Sequence, residues 1–463
     1  MKLKTDFFHT NSFRLFATVF AYTALTSIGI QFIILPSLLP SLHAGNGLIK
    51  GIDSVYFHDL AVIVAKRVQE NGWHEWIFRP ARSGIPVGIA SFFYVFFGPH
   101  PWLLIPLNAA VHAATGVTLA KIGEIAFGSW KAGRWFALPF VLWPSAILWF
   151  SQIHRDGIFS LGVFLFLLAL LSLVRNAKLE VSMKGPILCG TVGASLLLIA
   201  RPAIFPTAIA AGVLTVLCLL VKLRTSPTRQ RLRALGTSAG LVGLLFGFMV
   251  LYRHFPEERW VLPYVGDPAF TQVVPDYLNQ TWNQDHWLPA PIDTQLQQIS
   301  QLRDSWRQMN SVYPDTRVVD QAVGFYSVGE LLRYIPRAIE IVLFSPFPND
   351  WLNSQLNGHT SAFRIAAIPE TLANYALLLF LFFFGLRALA RRNFSIYLAA
   401  ILIFSGLLLL PLGLAINGLG SLHRLRYSFL SLLTGAGVCL VVEAILSVRR
   451  SAASAIPNSE RLT

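Results

Sequence analysis

Apolar runs close to membrane-crossing length alternate with short polar connections along this chain. They recur at Phe13 to Leu39, Trp102 to Ala120, Phe136 to Phe150, Phe159 to Val174, Ile187 to Ala200, Ala203 to Val221, Leu235 to Leu251, Leu372 to Leu386, Ile396 to Ile416 and Tyr427 to Leu446. Within lipid, only helices and closed barrels satisfy the backbone, and these runs exceed a barrel strand. The pattern therefore predicts an all-α polytopic membrane protein with about ten transmembrane helices. Two shorter stretches, Gly84 to Gly98 and Tyr334 to Phe347, are punctuated by Pro86, Pro99, Pro336 and Pro346 and read as membrane-surface or half-inserted helices. The polar remainder divides the chain into an N-terminal transmembrane module (1–251, with a polar outer segment at 40–83), a long outer loop (252–333) and a C-terminal transmembrane module (334–463).

Composition agrees. Hydrophobic residues make up 54% and charged residues 13%, with a mean hydropathy of +0.56; a soluble protein carries about 25% charge. Soluble enzymes and disordered scaffolds are excluded. The net charge of +14 would suggest nucleic acid in a soluble chain, but its distribution gives another reason. With the N-terminus placed in the cytoplasm, ten crossings put Lys121, Lys131 and Arg134, then Arg175, Lys178 and Lys184, then Lys222 to Arg233, then Arg387, Arg391 and Arg392 on the inside. This is the positive-inside pattern. It predicts a multi-pass protein of the plasma (inner) membrane with both termini cytoplasmic and no nucleic-acid partner. Phe13 to Leu39 is too long for a cleaved signal core and reads as a retained anchor.

Cys189, Cys218 and Cys439 lie within apolar runs and imply neither a disulfide framework nor a metal cluster. The loop from Tyr252 to Arg333 is rich in Trp, Asp, Asn, Gln and Pro. Its Trp260, Trp282, Trp287 and Trp306 suit either sugar stacking or interfacial anchoring, and Asn279-Gln280-Thr281 fits a glycosylation acceptor.

Charge beside lipid is costly and persists where something pairs with it. Four groups at the outer ends of the crossings meet that description. Asp53 opens an amphipathic segment that includes Tyr56, His58 and Asp59; it reads as a carboxylate at the membrane surface or as a helix cap. His154-Arg155-Asp156 fills an outer turn, where the acid either orients a substrate or pairs locally with Arg155. Arg201-Pro202 has almost no polar surroundings, so Arg201 needs an anion: a phosphate, which its fork matches, or Asp156. Asn417-Gly418 leads to His423, Arg424, Arg426 and Tyr427, two more arginines for phosphate or lipid headgroups.

In these residues the sequence resembles the GT-C superfamily of integral-membrane glycosyltransferases, which contains protein O-mannosyltransferases and the lipid A aminoarabinose transferase. The resemblance runs through Asp53-x-x-Tyr56 with Ala61, Arg82-Ser83-Gly84-Ile85-Pro86 leading to Phe97-Gly98, Leu107-Asn108-Ala109, Pro144 followed by Arg155-Asp156, and Arg201-Pro202. It returns at Asn417-Gly418 with Arg424, Arg426 and Tyr427. Where the family often has an acidic pair in the first loop, Ser54 follows Asp53 here. Ser345-Pro346-Phe347-Pro348 with Glu370 also looks like a subgroup associated with surface polysaccharide assembly.

The resemblance implies transfer of a sugar from a polyprenyl-phosphate carrier to a glycan, lipid or protein acceptor on the outer face. It assigns catalysis to Asp53 and Asp156, phosphate binding to Arg201, Arg424 and Arg426, and supporting or acceptor roles to Tyr56, His58, Asp59, Arg82 and Arg155. A lipid-phosphate leaving group needs no nucleotide cofactor, while a divalent metal shared by Asp53 and Asp156 stays open. A lipid-linked polysaccharide polymerase or ligase fits the same residues. A flippase of such lipids instead predicts broken, polar helices at mid-membrane.

Overall fold

The computed structural model describes residues 10–50, 52–78, 84–254, 281–284, 287–312, 318–351, 362–391 and 394–455. Eight helices among them are long and apolar enough to cross a membrane, and the chain is an all-α polytopic membrane protein. The first is α1 (Thr10–Gly29), prolonged by wider turns over Ile30–Leu38. A small hairpin, β1 (His43–Gly45) with β2 (Leu48–Ile49), leads into α2 (Asp53–Asn71) and then α3 (Ile85–Phe97). The transmembrane series continues with α4 (Ile105–Phe127), α5 (Trp130–Leu142), α6 (Pro144–Phe150), α7 (Asp156–Leu179), α8 (Lys184–Ala200), α9 (Phe205–Leu220) and α10 (Thr228–His254). After α11 (Ala290–Val312), α12 (Val328–Phe344) and the short α13 (Pro348–Trp351), it ends with α14 (Ala362–Ala390), α15 (Ile396–Ala415) and α16 (Leu419–Ala455).

The two helices that the sequence pattern predicts after the first crossing are α2 and α3, and they pack on each other. In α2, Phe57, Leu60, Ala61, Val64, Ala65 and Val68 recur at helical spacing and are buried against Val87, Ala90 and Tyr94 of α3. Asp53, Tyr56 and Asp59 are exposed, Asp53 because it stands at the very start of the helix, one and two turns before the buried Phe57 and Leu60.

One apolar run departs from the expected single helix. Phe136 to Phe150 is split between α5 and α6, because proline disfavours the helical region for the residue before it; Trp143 is extended, at φ −61° and ψ 133°. The new helix start is stabilised from elsewhere. Buried Glu370 of α14 accepts from the Ser145 amide (3.1 Å) and the Ser145 hydroxyl (2.6 Å). The neighbouring α8 is also short, at 17 residues. Against the ten expected, eight helices among the described residues have the length and apolarity of a crossing, and α3 and α8 are shorter apolar helices.

The described part of the long loop is ordered against the bundle. Arg303 and Arg307 of α11 are 1% and 0% exposed. Arg303 donates to the carbonyls of Val323 (2.8 Å), Asp320 (3.0 Å) and Leu414 (3.0 Å). Arg307 donates to those of Gln321 (2.9 Å) and Ala322 (3.2 Å). Asn310 donates to Asn417 (2.7 Å), which donates to Gln321 (2.6 Å). The loop is thereby fastened to the turn between α15 and α16. Trp260 and Asn279-Gln280 lie outside the described residues; Trp282 donates to Asp293 at 3.2 Å, and Trp287 is exposed.

Small residues let the helices approach closely, as is usual where lipid provides no hydrophobic drive between them. A Cβ added at Gly133 of α5 would lie 2.1 Å from the Ala120 carbonyl oxygen of α4, whereas one at Gly243 meets nothing within 4 Å. Gly133→Val is expected to cost about 1–3 kcal/mol through forced separation of α4 and α5, and Gly243→Ala almost nothing. Thermal unfolding of the detergent-solubilised variants checks the contrast.

Candidate active site

Four elements distant in sequence meet at one end of the bundle: the start of α2, the start of α7, the end of α8 and the first turns of α16. Each position has a local cause. Asp53 is the first residue of α2, after extended Ile52. It does not serve as the cap, and its side chain reaches outward instead. Asp156 occupies the first turn of α7, favourable for a carboxylate at the positive end of a helix dipole. Arg201 ends α8 because Pro202 follows it. Arg424 lies just over one turn into α16.

The side chains form a continuous relay. Arg424 Nη1 donates to Asp53 Oδ2 at 2.6 Å across 371 residues of chain. Arg424 Nε lies 3.5 Å from Asp156 Oδ2, and Arg201 Nη2 donates to Asp156 Oδ1. The Arg201 guanidinium also lies 5.5 Å from the centroid of the Phe159 ring, one turn beyond Asp156. His154 Nδ1 is 3.7 Å from Asp156 Oδ2. Burial outweighs that neighbouring carboxylate and lowers the His154 pKa to about 4, so the ring is neutral at pH 7. Arg155 makes no hydrogen bond or ion pair with a described residue. Burial, with Arg201 beside it, lowers its pKa to about 10, and it remains a cation.

The group thus holds three arginines against two carboxylates. Asp156 Oδ2, Arg201 Nε and Arg424 Nε are all buried without a hydrogen bond. Buried polar atoms in native structures nearly always find partners; Arg424 Nε and Asp156 Oδ2 face one another, which leaves Arg201 Nε as the buried donor that an anionic oxygen would satisfy. Gly84, at φ +73°, brings the chain close to Arg155: a Cβ there would meet Nη1 at 3.6 Å.

The remaining predicted residues separate into distinct environments. Of the two partners the sequence left open for Asp156, the structure provides Arg201, not Arg155. Tyr56 and Asp59, like Asp53, are exposed on α2. His58 is turned the other way; its Nδ1 and the Tyr94 hydroxyl are 2.9 Å apart in the α2–α3 interface, where burial lowers its pKa. Arg426 is outside the relay. Two residues beyond Arg424 on a helix, it faces away from it and donates to the carbonyls of Val342 (2.8 Å), Ile341 (3.3 Å) and Ser345 at the end of α12. Its fork satisfies carbonyls that a helix end leaves free. Arg82 lies outside the described residues. As for a metal, the group between Asp53 and Asp156 is the Arg424 guanidinium, and among the described residues no three His, Cys, Asp or Glu side chains gather as ligands.

Gln152 is a supporting residue that its sequence context does not single out. It accepts from Ile49 N (3.1 Å) and the Ser54 hydroxyl (3.3 Å), and donates to the Gly47 carbonyl (3.1 Å). Its own carbonyl accepts from Asn108 at 2.9 Å. One buried amide therefore ties the segment before Asp53 to the turn before Asp156. The only cue was a polar side chain where two apolar runs meet.

No protein-family model matches the sequence, and no curated protein matches it. Among solved structures, the chain is similar to the archaeal oligosaccharyltransferase AglB from Archaeoglobus fulgidus, in complex with an inhibitory peptide and a dolichol-phosphate. The TM-score is 0.47 at 13% sequence identity, over 95% of this chain and 52% of that chain. This chain spans about half the length of that protein.

Proposed function

We propose that this chain is a membrane glycosyltransferase of the GT-C type, transferring a sugar from a polyprenyl-phosphate donor to an acceptor at the membrane surface. The observation that carries the reading is the Asp53–Arg424–Asp156–Arg201 relay at the end of a transmembrane bundle, with Arg155 beside it adding one uncompensated positive charge. A lipid-linked donor places its phosphate at that depth while its tail stays in lipid. In transfer, the acceptor oxygen bonds to the anomeric carbon as the carbon–oxygen bond to phosphate breaks. Asp53 takes the acceptor proton; Arg424 engages its Oδ2, and its Oδ1 makes no hydrogen bond with a described residue. Arg155, Arg201 and Arg424 stabilise the phosphate as its charge develops. Asp156 holds Arg201 and Arg424 in place.

The direct test is transfer of radiolabelled sugar from a polyprenyl-phosphate donor in membranes with and without this protein; equal transfer in both would defeat the proposal. A product still attached to a second polyprenyl carrier would identify the polymerase or ligase form of the reaction. Arg201→Lys keeps the charge but loses the fork, and should raise the donor concentration for half-maximal transfer about tenfold. Arg201→Ala should raise it further. If donor saturation is unchanged in both, Arg201 serves Asp156 alone.

Orientation follows from the charges. In the proposed arrangement, the relay lies on the outer face of the plasma membrane and both termini are cytoplasmic. The connections at the far end of the bundle carry the basic residues: Gln230 donates to Glu180 (3.1 Å), and Arg233 to the Val181 carbonyl (3.1 Å). Cysteine placed at position 304 should label with an impermeant maleimide in intact cells, and cysteine at position 229 should not. The reverse pattern would put the relay on the cytoplasmic face.

A further inference from the structure

At the end of the bundle opposite the relay, a cavity of about 980 Å³ opens between the ends of α4 and α14, the start of α15 and the distal part of α16. Its rim carries Arg387, Arg391 and Glu443. The arginines are four residues apart in the last turn of α14 and just beyond it, so both project to the same side and are exposed. Its walls are Phe127, Phe384, Phe394, Leu398 and Leu440. Basic residues at this end are explained by orientation alone, and a large apolar recess beneath them is not. The rim carries two cations and one anion, a surplus of one positive charge, above a volume walled by hydrocarbon and aromatic rings.

We infer that this cavity binds one anionic glycerophospholipid, its phosphodiester held by Arg387 and Arg391 and one of its two acyl chains seated between α14 and α16. The arginine forks supply the geometry for phosphate oxygens. Glu443 disfavours headgroups that add a second negative charge. The aromatic walls replace the lipid that would otherwise cover the chain.

The experiment uses the whole protein in nanodiscs of phosphatidylcholine, with or without phosphatidylglycerol, and reads the thermal midpoint and the lipid retained after transfer to detergent. Phosphatidylglycerol should raise the midpoint of the wild-type protein and be retained in preference to phosphatidylcholine. Arg387→Gln/Arg391→Gln should weaken that retention about tenfold through loss of charge-assisted contacts. Lys178→Gln/Arg229→Gln removes equal charge from exposed positions at the same end, away from the cavity, and should leave retention intact. Ala388→Trp fills the recess while keeping both arginines, and should abolish the preference; Ala388→Leu fills less and should reduce it. Three results would each overturn the inference: no phosphatidylglycerol shift in the wild-type protein, equal loss in the Lys178/Arg229 variant, or full preference in monodisperse Ala388→Trp and Ala388→Leu proteins.

Discussion

Asp156→Ala is expected to cost about 3–5 kcal/mol of stability, the usual consequence of removing one partner from a buried ion pair. The Asp156 side chain is 10% exposed and the Arg201 and Arg424 side chains 17% and 19%. Without the carboxylate the two guanidiniums face one another with little water to screen them, and Arg155 adds a third charge nearby. Transfer should fall with stability, because the same arginines would hold the donor phosphate. A double-mutant cycle with Arg201→Ala separates the contributions: removing both partners should cost less than the sum of the single changes. Additive costs, or an Asp156→Ala loss below about 1 kcal/mol, the range of exposed pairs, would mean that the pair is effectively solvated.

The second large effect is expected at Asp53, and here stability and turnover should part. Its side chain is 48% exposed, and it is not a helix cap, so Asp53→Asn should unfold at nearly the wild-type temperature. The amide cannot accept the acceptor proton, and turnover at saturating donor should fall about a hundredfold or more. A variant with near-normal transfer would move the base to Asp59 or Asp156. His58 is a poor substitute, since its ring is engaged with Tyr94 in the interface of α2 and α3.

The alternation of apolar and polar runs made the all-α architecture legible, and the amphipathic character of the segment that Asp53 opens made α2 legible as a helix. The candidate charges were legible for a different reason: an ionisable residue beside lipid is conspicuous. Which of them meet was legible only in part: Asp156 was one of the two partners read for Arg201, but Arg424 with Asp53 was not, because that pairing depends on helix rotation and on a contact hundreds of residues apart. Arg424 and Arg426 look equivalent in sequence, yet two residues on a helix turn through about 200°. One reaches Asp53 and the other closes α12. Glu370 was conspicuous only through the subgroup resemblance, and its partner, Ser145, became available only because Pro144 divides a run that hydropathy alone reads as continuous.

The bond between Arg424 and Asp53 also governs when the site exists. Asp53 is synthesised with the first surface helix, whereas Arg424 belongs to α16, the last of the described spans to leave the ribosome. Loop-closing contacts of such separation form late. Until α16 has inserted, the growing chain carries a carboxylate without its cation, and Asp156 has only part of its arginine shell. The charged centre is therefore completed only when α16 has inserted, and a chain arrested before that step would hold Arg155 and Arg201 beside Asp156 but leave Asp53 without its cation.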